Sequence, residues 1–283
     1  MDISDIAVEE FVEVDADTRV AKVRSRFERD NPKGIVVMDD GECIGVVREK
    51  QLIQSHVEDD TKVGAIVRSS RSGGSPPNVR RYDDVREVCR VLVEGDVKIA
   101  PVYEGENLWG VVTADDILDA VHENLEAITV GDIASESVVT VTEDDHVGKA
   151  INRLRENGIS RLPVVNESGE LTGIVTTNDI VDFAVRDEER QGEGDRRGEL
   201  DRMLDIPVYD LMSSPVQTIT SGETVDDAVS IMFENNISGL VVTATPDGSK
   251  IEGVITKTDV LRALTHTEEE SMDVQITNTN LLD

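Results

Sequence analysis

Three aspartates each follow a threonine by three residues at the end of an apolar run: Asp116 after Thr113, Asp179 after Thr176 and Asp259 after Thr256. Thr-x-x-Asp ahead of apolar residues at helical spacing marks a helix start. Such a start offers free backbone N–H groups and a positive dipole end, which suit phosphate, and a carboxylate that suits a ribose diol. Each pair lies in one recurring phrase: Gly110-Val111-Val112-Thr113-Ala114-Asp115-Asp116-Ile117, Gly173-Ile174-Val175-Thr176-Thr177-Asn178-Asp179-Ile180 and Gly253-Val254-Ile255-Thr256-Lys257-Thr258-Asp259-Val260. A worn copy, Gly45-Val46-Val47-Arg48-Glu49-Lys50-Gln51-Leu52, has arginine and glutamine at the two polar positions. An amide can still bond a diol but lacks the charge-assisted strength of a carboxylate, so this copy is expected to be weak, empty or differently selective. The same spacing also caps a helix with no ligand at all, a contribution of about 1 kcal/mol. Spacing alone permits both readings.

The elements that must carry these corners repeat as well. In the third copy Val138-Val139-Thr140-Val141 reads as a short strand, and Val147, Ala150, Ile151 and Leu154 fall on one helix face. Gly158 stops that helix. Arg161 to Val165 is a second strand, Glu167-Ser168-Gly169 a turn and Leu171 to Thr176 a third strand. Asp179 with Ile180, Val181, Phe183 and Ala184 opens a closing helix. The fold class is α/β (α+β): four β-α-β-β-α units of about 60 residues, too long for an ordinary solenoid period and suited to duplicated small domains.

The fourth copy repeats this pattern, with Thr218-Ile219 in place of Thr140-Val141 and Ile237-Ser238-Gly239-Leu240-Val241 in place of Ile159-Ser160-Arg161-Leu162-Pro163. Its helix face is Val225, Ala228, Val229 and Met232. The second copy keeps Val85, Val88, Cys89 and Leu92 and the strand Val97 to Val102, but enters through an irregular Ser-, Gly- and Pro-rich loop, Ser69 to Pro77. The first keeps Val20, Val23 and Phe27 on a face that Arg24 interrupts, and the strand Gly34-Ile35-Val36-Val37. Short lead-ins, Val130-Gly131-Asp132-Ile133 and Val208-Tyr209-Asp210-Leu211-Met212, precede the third and fourth copies.

Units this small bury too little surface alone, so neighbours should pair. The expected modules are 1–124, with repeats at about 1–58 and 59–124, and 125–267, with repeats at about 125–188 and 206–267. A charged, glycine-interrupted linker occupies 186–205, and a tail follows at 268–283, where Val274-Gln275-Ile276-Thr277 reads as a stray strand.

Composition sets the outer limits. Net charge is −31, from 28 basic and 59 acidic residues spread along the chain, which argues against binding a phosphate backbone such as DNA. Only 3% of residues are aromatic, so Val, Ile, Leu and Ala must build the core. The scarcity of lysine beside abundant Asp and Glu resembles proteins of salt-accumulating halophilic archaea, where a Debye length of about 3 Å in molar salt screens self-repulsion. No apolar run approaches the roughly 20 residues needed to span a bilayer. The start lacks the basic region of a signal peptide, and two isolated cysteines, Cys43 and Cys89, make no disulfide framework, so a cytoplasmic location is expected. His56, His122, His146 and His266 stand apart without metal-ligand spacing. Nothing supplies a nucleophile with its base, and no P-loop or Rossmann glycine pattern is present, so no catalytic activity and no required cofactor are expected.

The four glycine-led phrases in register, the lead strands at Thr140-Val141 and Thr218-Ile219, and Ile159-Ser160-Arg161-Leu162-Pro163-Val164 resemble cystathionine-β-synthase (CBS) domains. The resemblance covers nearly the whole chain and implies two Bateman modules, each pairing two repeats sheet to sheet around clefts for adenosyl ligands, in a disk like that of the AMP-activated kinase gamma subunit. It implies ribose contacts from Asp179 with Thr176, Asp259 with Thr256 and Asp116 with Thr113, and adenine framing by the strands at Thr140 and Thr218. It assigns phosphate to Arg161, whose guanidinium can bind bidentately. By alignment Lys98 serves the second repeat, and Ser238 replaces the cation in the fourth, which favours S-adenosylmethionine or adenosine over AMP, ADP or ATP there. Arg161 reads equally well as a solvent-side strand residue, and Lys98 reads better as a residue without a ligand. The expected role is a regulatory adenosyl sensor that acts on a protein partner, with a homodimer expected. The rival is a docking protein on an enzyme complex or ribosome, its clefts vestigial.

Overall fold

The structure is a computed structural model that describes residues 1–30, 32, 34–48, 52, 58–69, 79–95, 97–121, 125–180, 204–246 and 250–266. The expected closing-helix residues Val181, Phe183 and Ala184, Gln51, nearly all of the second repeat's entry loop, most of the 186–205 linker and the 268–283 tail lie outside the described residues.

Among the described residues, twelve strands form four three-stranded sheets. They are β1 (Val12–Asp15), β2 (Ile35–Asp39) and β3 (Glu42–Val47); β4 (Val79–Arg80), β5 (Ile99–Glu104) and β6 (Asn107–Thr113); β7 (Val141–Thr142), β8 (Arg161–Val165) and β9 (Leu171–Thr176); and β10 (Thr218–Thr220), β11 (Gly239–Thr243) and β12 (Ile251–Thr256). In every sheet the first strand runs parallel to the second, across a helix, and the third returns antiparallel. The crossover helices are Val20–Asp30, Val85–Glu94, Val147–Glu156 and Val225–Glu234. Their apolar faces are the ones the periodicity gives: Val85, Val88, Cys89 and Leu92 are buried in the second, and Val225, Ala228, Val229 and Met232 in the fourth. Arg24, the polar break in the first face, turns outward to pair with Asp59 and donates to the Leu52 carbonyl.

The middle strands are continuously apolar because both of their faces are covered. All five residues of β11 are buried. In the first two repeats Val36 of β2 packs with Ile99 of β5 and Val111 of β6, so one repeat's sheet meets the other's. The third repeat departs from its expected lead strand. Only Val141 and Thr142 join the sheet: by register Thr140 would face Pro163, which has no N–H to donate, and the Thr140 carbonyl accepts a hydrogen bond from Arg153.

The chain divides into two compact units, Met1–Glu123 with Lys257–Asp283 in one and Asn124–Thr256 in the other. Within the first, the helix Lys257–His266 packs on the helices Val85–Glu94 and Ala114–Val121.

Each lead-in crosses to the other repeat of its pair. In the Asn124–Thr256 unit the third repeat's lead-in docks on the fourth: Val130 N donates to Glu223 O at 2.8 Å, Gly131 N to Ser221 O at 2.9 Å, and Ser135 bridges Val254 of β12. The fourth repeat's lead-in returns to the third, where Val208 N donates to Asp145 O at 2.7 Å and Ser213 bridges Ile174 of β9. Val208 is buried in one core with Val141, Val147, Leu154 and Leu162. The first unit does the same: Val8 bridges Val111, while Val63, Ile66 and Val67 of the helix Val63–Ser69 complete a core with Val14, Val20, Val23, Phe27 and Ile35. The second and fourth repeats therefore each supply part of a neighbour's core.

These straps explain the recurrent glycines. A Cβ on Gly110 would lie 2.7 Å from Val8 O, and one on Gly253 3.0 Å from Ser135 O; on Gly173 it would fall on Met212 Sδ. The glycine of each phrase is where a strap passes over the third strand of a sheet.

Cys89 belongs to the second repeat's core and is fully buried. Burial, with the nearby charge of Asp84, pushes its thiol from 9.0 up to about 12. Unfolded, the thiol ionises near its ordinary value; folded, it keeps its proton through that interval. The folded chain thus binds more protons above pH 9, and stability should fall as pH rises toward 12. A thiol reagent at neutral pH should modify Cys43, which is only partly buried, and spare Cys89 until denaturant is added. Cys89→Ala should flatten the alkaline loss of stability in urea titrations.

Candidate functional site

The third repeat's corner forms where β9 stops at Thr176 and a helix begins at Thr177. Thr176 N and Thr176 Oγ1 both donate to Asp179 Oδ2, at 2.7 and 2.6 Å, and Asp179 N donates back to Thr176 Oγ1 at 3.3 Å. Oδ1, the second carboxylate oxygen, accepts from Ser213 Oγ at 3.2 Å. A carboxylate has about four lone-pair sites, so Oδ1 can take a ribose hydroxyl while Oδ2 stays in the cap. Capping and ligand binding are therefore compatible uses of one aspartate.

The second repeat builds the same corner at the start of the helix Ala114–Val121. Thr113 N and Oγ1 donate to Asp116 Oδ2 at 3.0 and 2.6 Å, and Asp116 N donates to Thr113 Oγ1 at 3.1 Å. Beside it, the nearly buried Lys257 pairs with Asp115 at 2.9 Å, and Lys98 donates to Thr258 Oγ1. In the fourth repeat, Thr256 ends β12 and Asp259 Oδ1 accepts from Arg262 Nη1 at 2.9 Å. The first repeat has Glu13 where the third has Thr140, each one residue ahead of the valine in register with the phrase glycine. Its lead-in lines a surface depression with Glu9, Glu10 and Glu13, carboxylates that disfavour phosphate.

Register also equates the two adenine-framing candidates. Val141 faces Val164, which faces Gly173; Ile219 faces Val242, which faces Gly253. Thr140 and Thr218 are thus the same position in two repeats. Arg161 and Gly239 are likewise equivalent, opposite Thr176 and Thr256. The structure brings Arg161 and Ser238 together: Arg161 Nη2 donates to Ser238 Oγ at 2.8 Å.

Ser213 is the site residue that the sequence reading missed. The signal was present, because Ser135 and Ser213 each stand five residues after the valines Val130 and Val208 of the two lead-ins. Among the described residues no group of three His, Cys, Asp or Glu side chains could hold a metal ion, and no helix is long and apolar enough to cross a membrane.

Four small α/β repeats strapped in pairs, three of them carrying Thr-x-x-Asp at the end of the third strand, define the class. The chain belongs to the CBS-domain family: the CBS domain profile matches residues 3–58, 69–123, 130–186 and 208–266. It is similar to protein MJ1404 of Methanocaldococcus jannaschii, at 25% identity over 276 residues, 95% of this chain and 63% of the relative. It is also similar to a 33.4 kDa protein in the ribosomal RNA operon of Thermofilum pendens, at 32% identity over 192 residues, 67% of this chain and 61% of that one. The chain thus spans less than two thirds of the length of these relatives. Among solved structures, protein MJ1225 of M. jannaschii, proposed as an archaeal homologue of g-AMPK, superposes with a TM-score of 0.71 at 20% identity, covering 93% of this chain and 99% of that one. A conserved protein from Pyrococcus horikoshii gives 0.66 at 21% identity, covering 93% and 100%. These likenesses bear on the fold.

Proposed function

We propose that this chain is a non-catalytic regulatory protein that binds an adenosyl ligand (AMP, ADP, ATP or S-adenosylmethionine) at the corners of its paired repeats and reports occupancy to a protein partner. Membership of the CBS-domain family and the intact corners at Asp179 and Asp116 support the reading. The observation that carries it is the placement of Asp179: Oδ2 is held by the cap, and Oδ1 faces Ser213 on the strap of the paired repeat. A ribose hydroxyl that takes Oδ1 shares that oxygen with Ser213, so filling the third repeat's corner is felt in the fourth repeat's lead-in. A ligand that favours one strap arrangement over the other shifts their populations, a coupling of about 1–3 kcal/mol in typical cases. Phosphate must be met by a local cation such as Arg161, since the chain as a whole is strongly acidic.

Calorimetry of the full chain with AMP, ATP and S-adenosylmethionine in molar KCl tests this. At least one ligand should bind, and Asp179→Ala should weaken it about tenfold or more, the loss of a charge-assisted hydrogen bond to a diol. If none of the three produces heat, the sensor reading fails and a docking role takes its place.

A further inference from the structure

Within the Asn124–Thr256 unit the two equivalent strand starts are not equally occupied. Arg161 opens β8; its counterpart Gly239 opens β11 and has no side chain. The Arg161 side chain lies over that glycine, where a Cβ would fall on the guanidinium and 2.8 Å from Ile255 O, and it donates to Ser238 Oγ. One repeat's arginine therefore sits on the other repeat's strand start. The Met1–Glu123 part of the first unit shows the same division of space without charge. There Gly34 and Ile99 are the equivalent positions, and a Cβ on Gly34 would lie 3.0 Å from Ile99 Cδ1. Steric sharing of the seam is thus common to both repeat pairs, and in the third and fourth repeats the shared space holds a guanidinium.

We propose that Ser238 and Gly239 are the resting berth of Arg161, and that a ligand's phosphate must draw this one guanidinium out of the berth. The proposal rests on the adenosyl reading above and deepens it by making the berth an internal competitor for phosphate. Gly239 has no side chain, so the guanidinium can occupy the space a Cβ would fill, and the Ser238 hydroxyl supplies a neutral acceptor. A phosphate offers charged, bidentate acceptors to the same donors, and the charged bond is the stronger of the two. The berth therefore lowers affinity for phosphate-bearing ligands while leaving phosphate-free ones untouched. It also allots one guanidinium to a pair of equivalent strand starts, so the unit discriminates phosphate at one of them at a time.

Adenosine and AMP titrations of the full chain in molar KCl, with Arg161→Met and Ser238→Ala beside the wild type, test the berth. Arg161→Met should lower the affinity for AMP relative to adenosine about ten- to a hundredfold. Ser238→Ala, which removes this acceptor and keeps the arginine, should raise the affinity for AMP relative to adenosine about two- to fivefold. Native-like melting curves for both variants separate these effects from misfolding. The proposal is overturned if Ser238→Ala lowers the affinity for AMP relative to adenosine or leaves it unchanged, or if Arg161→Met weakens AMP and adenosine alike. If neither adenosine nor AMP binds the wild type, the adenosyl reading falls first and the berth falls with it.

Discussion

Gly110→Val is expected to destabilise the unit that contains it by about 3 kcal/mol, the upper range for forcing a side chain into filled space. Its Cβ would lie 2.7 Å from Val8 O and 3.3 Å from Val8 C, so the obstacle is backbone that is itself held to Val111 by two hydrogen bonds of 2.8 and 3.0 Å. Relief requires breaking that bridge and lifting the strap. At Gly173 the obstacle is Met212, a flexible side chain, and Gly173→Ala should cost less, about 1 kcal/mol, as thioether side chains repack readily. At Gly222 nothing lies within 4 Å, and Gly222→Ala should stay within about 0.5 kcal/mol of the parent. Urea unfolding in molar KCl gives the ranking Gly110, Gly173, Gly222 from midpoints at constant slope. Equal midpoints for Gly110→Val and Gly222→Ala would remove the strap as the reason for the glycine.

That ranking also marks how far the sequence carries. The corners were legible because Thr-x-x-Asp is a local code: the bonds between Thr176 and Asp179 span three residues and need no partner from elsewhere. The crossover helices were legible because burial follows a 3.6-residue period, as at Val225, Ala228, Val229 and Met232. The strand Leu171 to Thr176 came out with its observed limits for similar reasons. The destination of each lead-in was not legible. An apolar residue such as Val208 declares that it will be buried but not in whose core, and the periodicity of its own segment is too short to say more. The phrase glycines showed the same gap. Gly173 is recognisable by repetition, yet its reason is Met212, which comes from the next repeat. Ser213 was missed because its partner, Asp179, lies across the pair, and the hydrogen bond from Arg161 to Ser238 was not legible for the same reason. The bond from Arg153 to the Thr140 carbonyl belongs with these, since its donor comes from a helix one element later.

The strap account makes its strongest demand at Ile66. In chain order this residue follows the first repeat's corner and opens the second repeat, but its side chain is buried with Val14, Val20, Val23, Phe27 and Ile35. Ile66→Ala should therefore cost about 2–5 kcal/mol, as a buried isoleucine truncation does, and the damage should appear first in the repeat to which Ile66 does not belong by sequence. Native-state hydrogen exchange locates it: protection should fall in β1, β2 and the helix Val20–Asp30 before it falls in β5 and β6. Val208→Ala should mirror this in the other unit, loosening β8 and the helix Val147–Glu156 while β11 and the helix Val225–Glu234 hold. The reason is the location of the cavity, because a methyl lost from a strap leaves its void in the core it was sent to fill. If exchange instead quickens in β5 and β6 first, each repeat carries its own core, the lead-ins are ornament, and coupling between corners through Ser213 loses its physical basis.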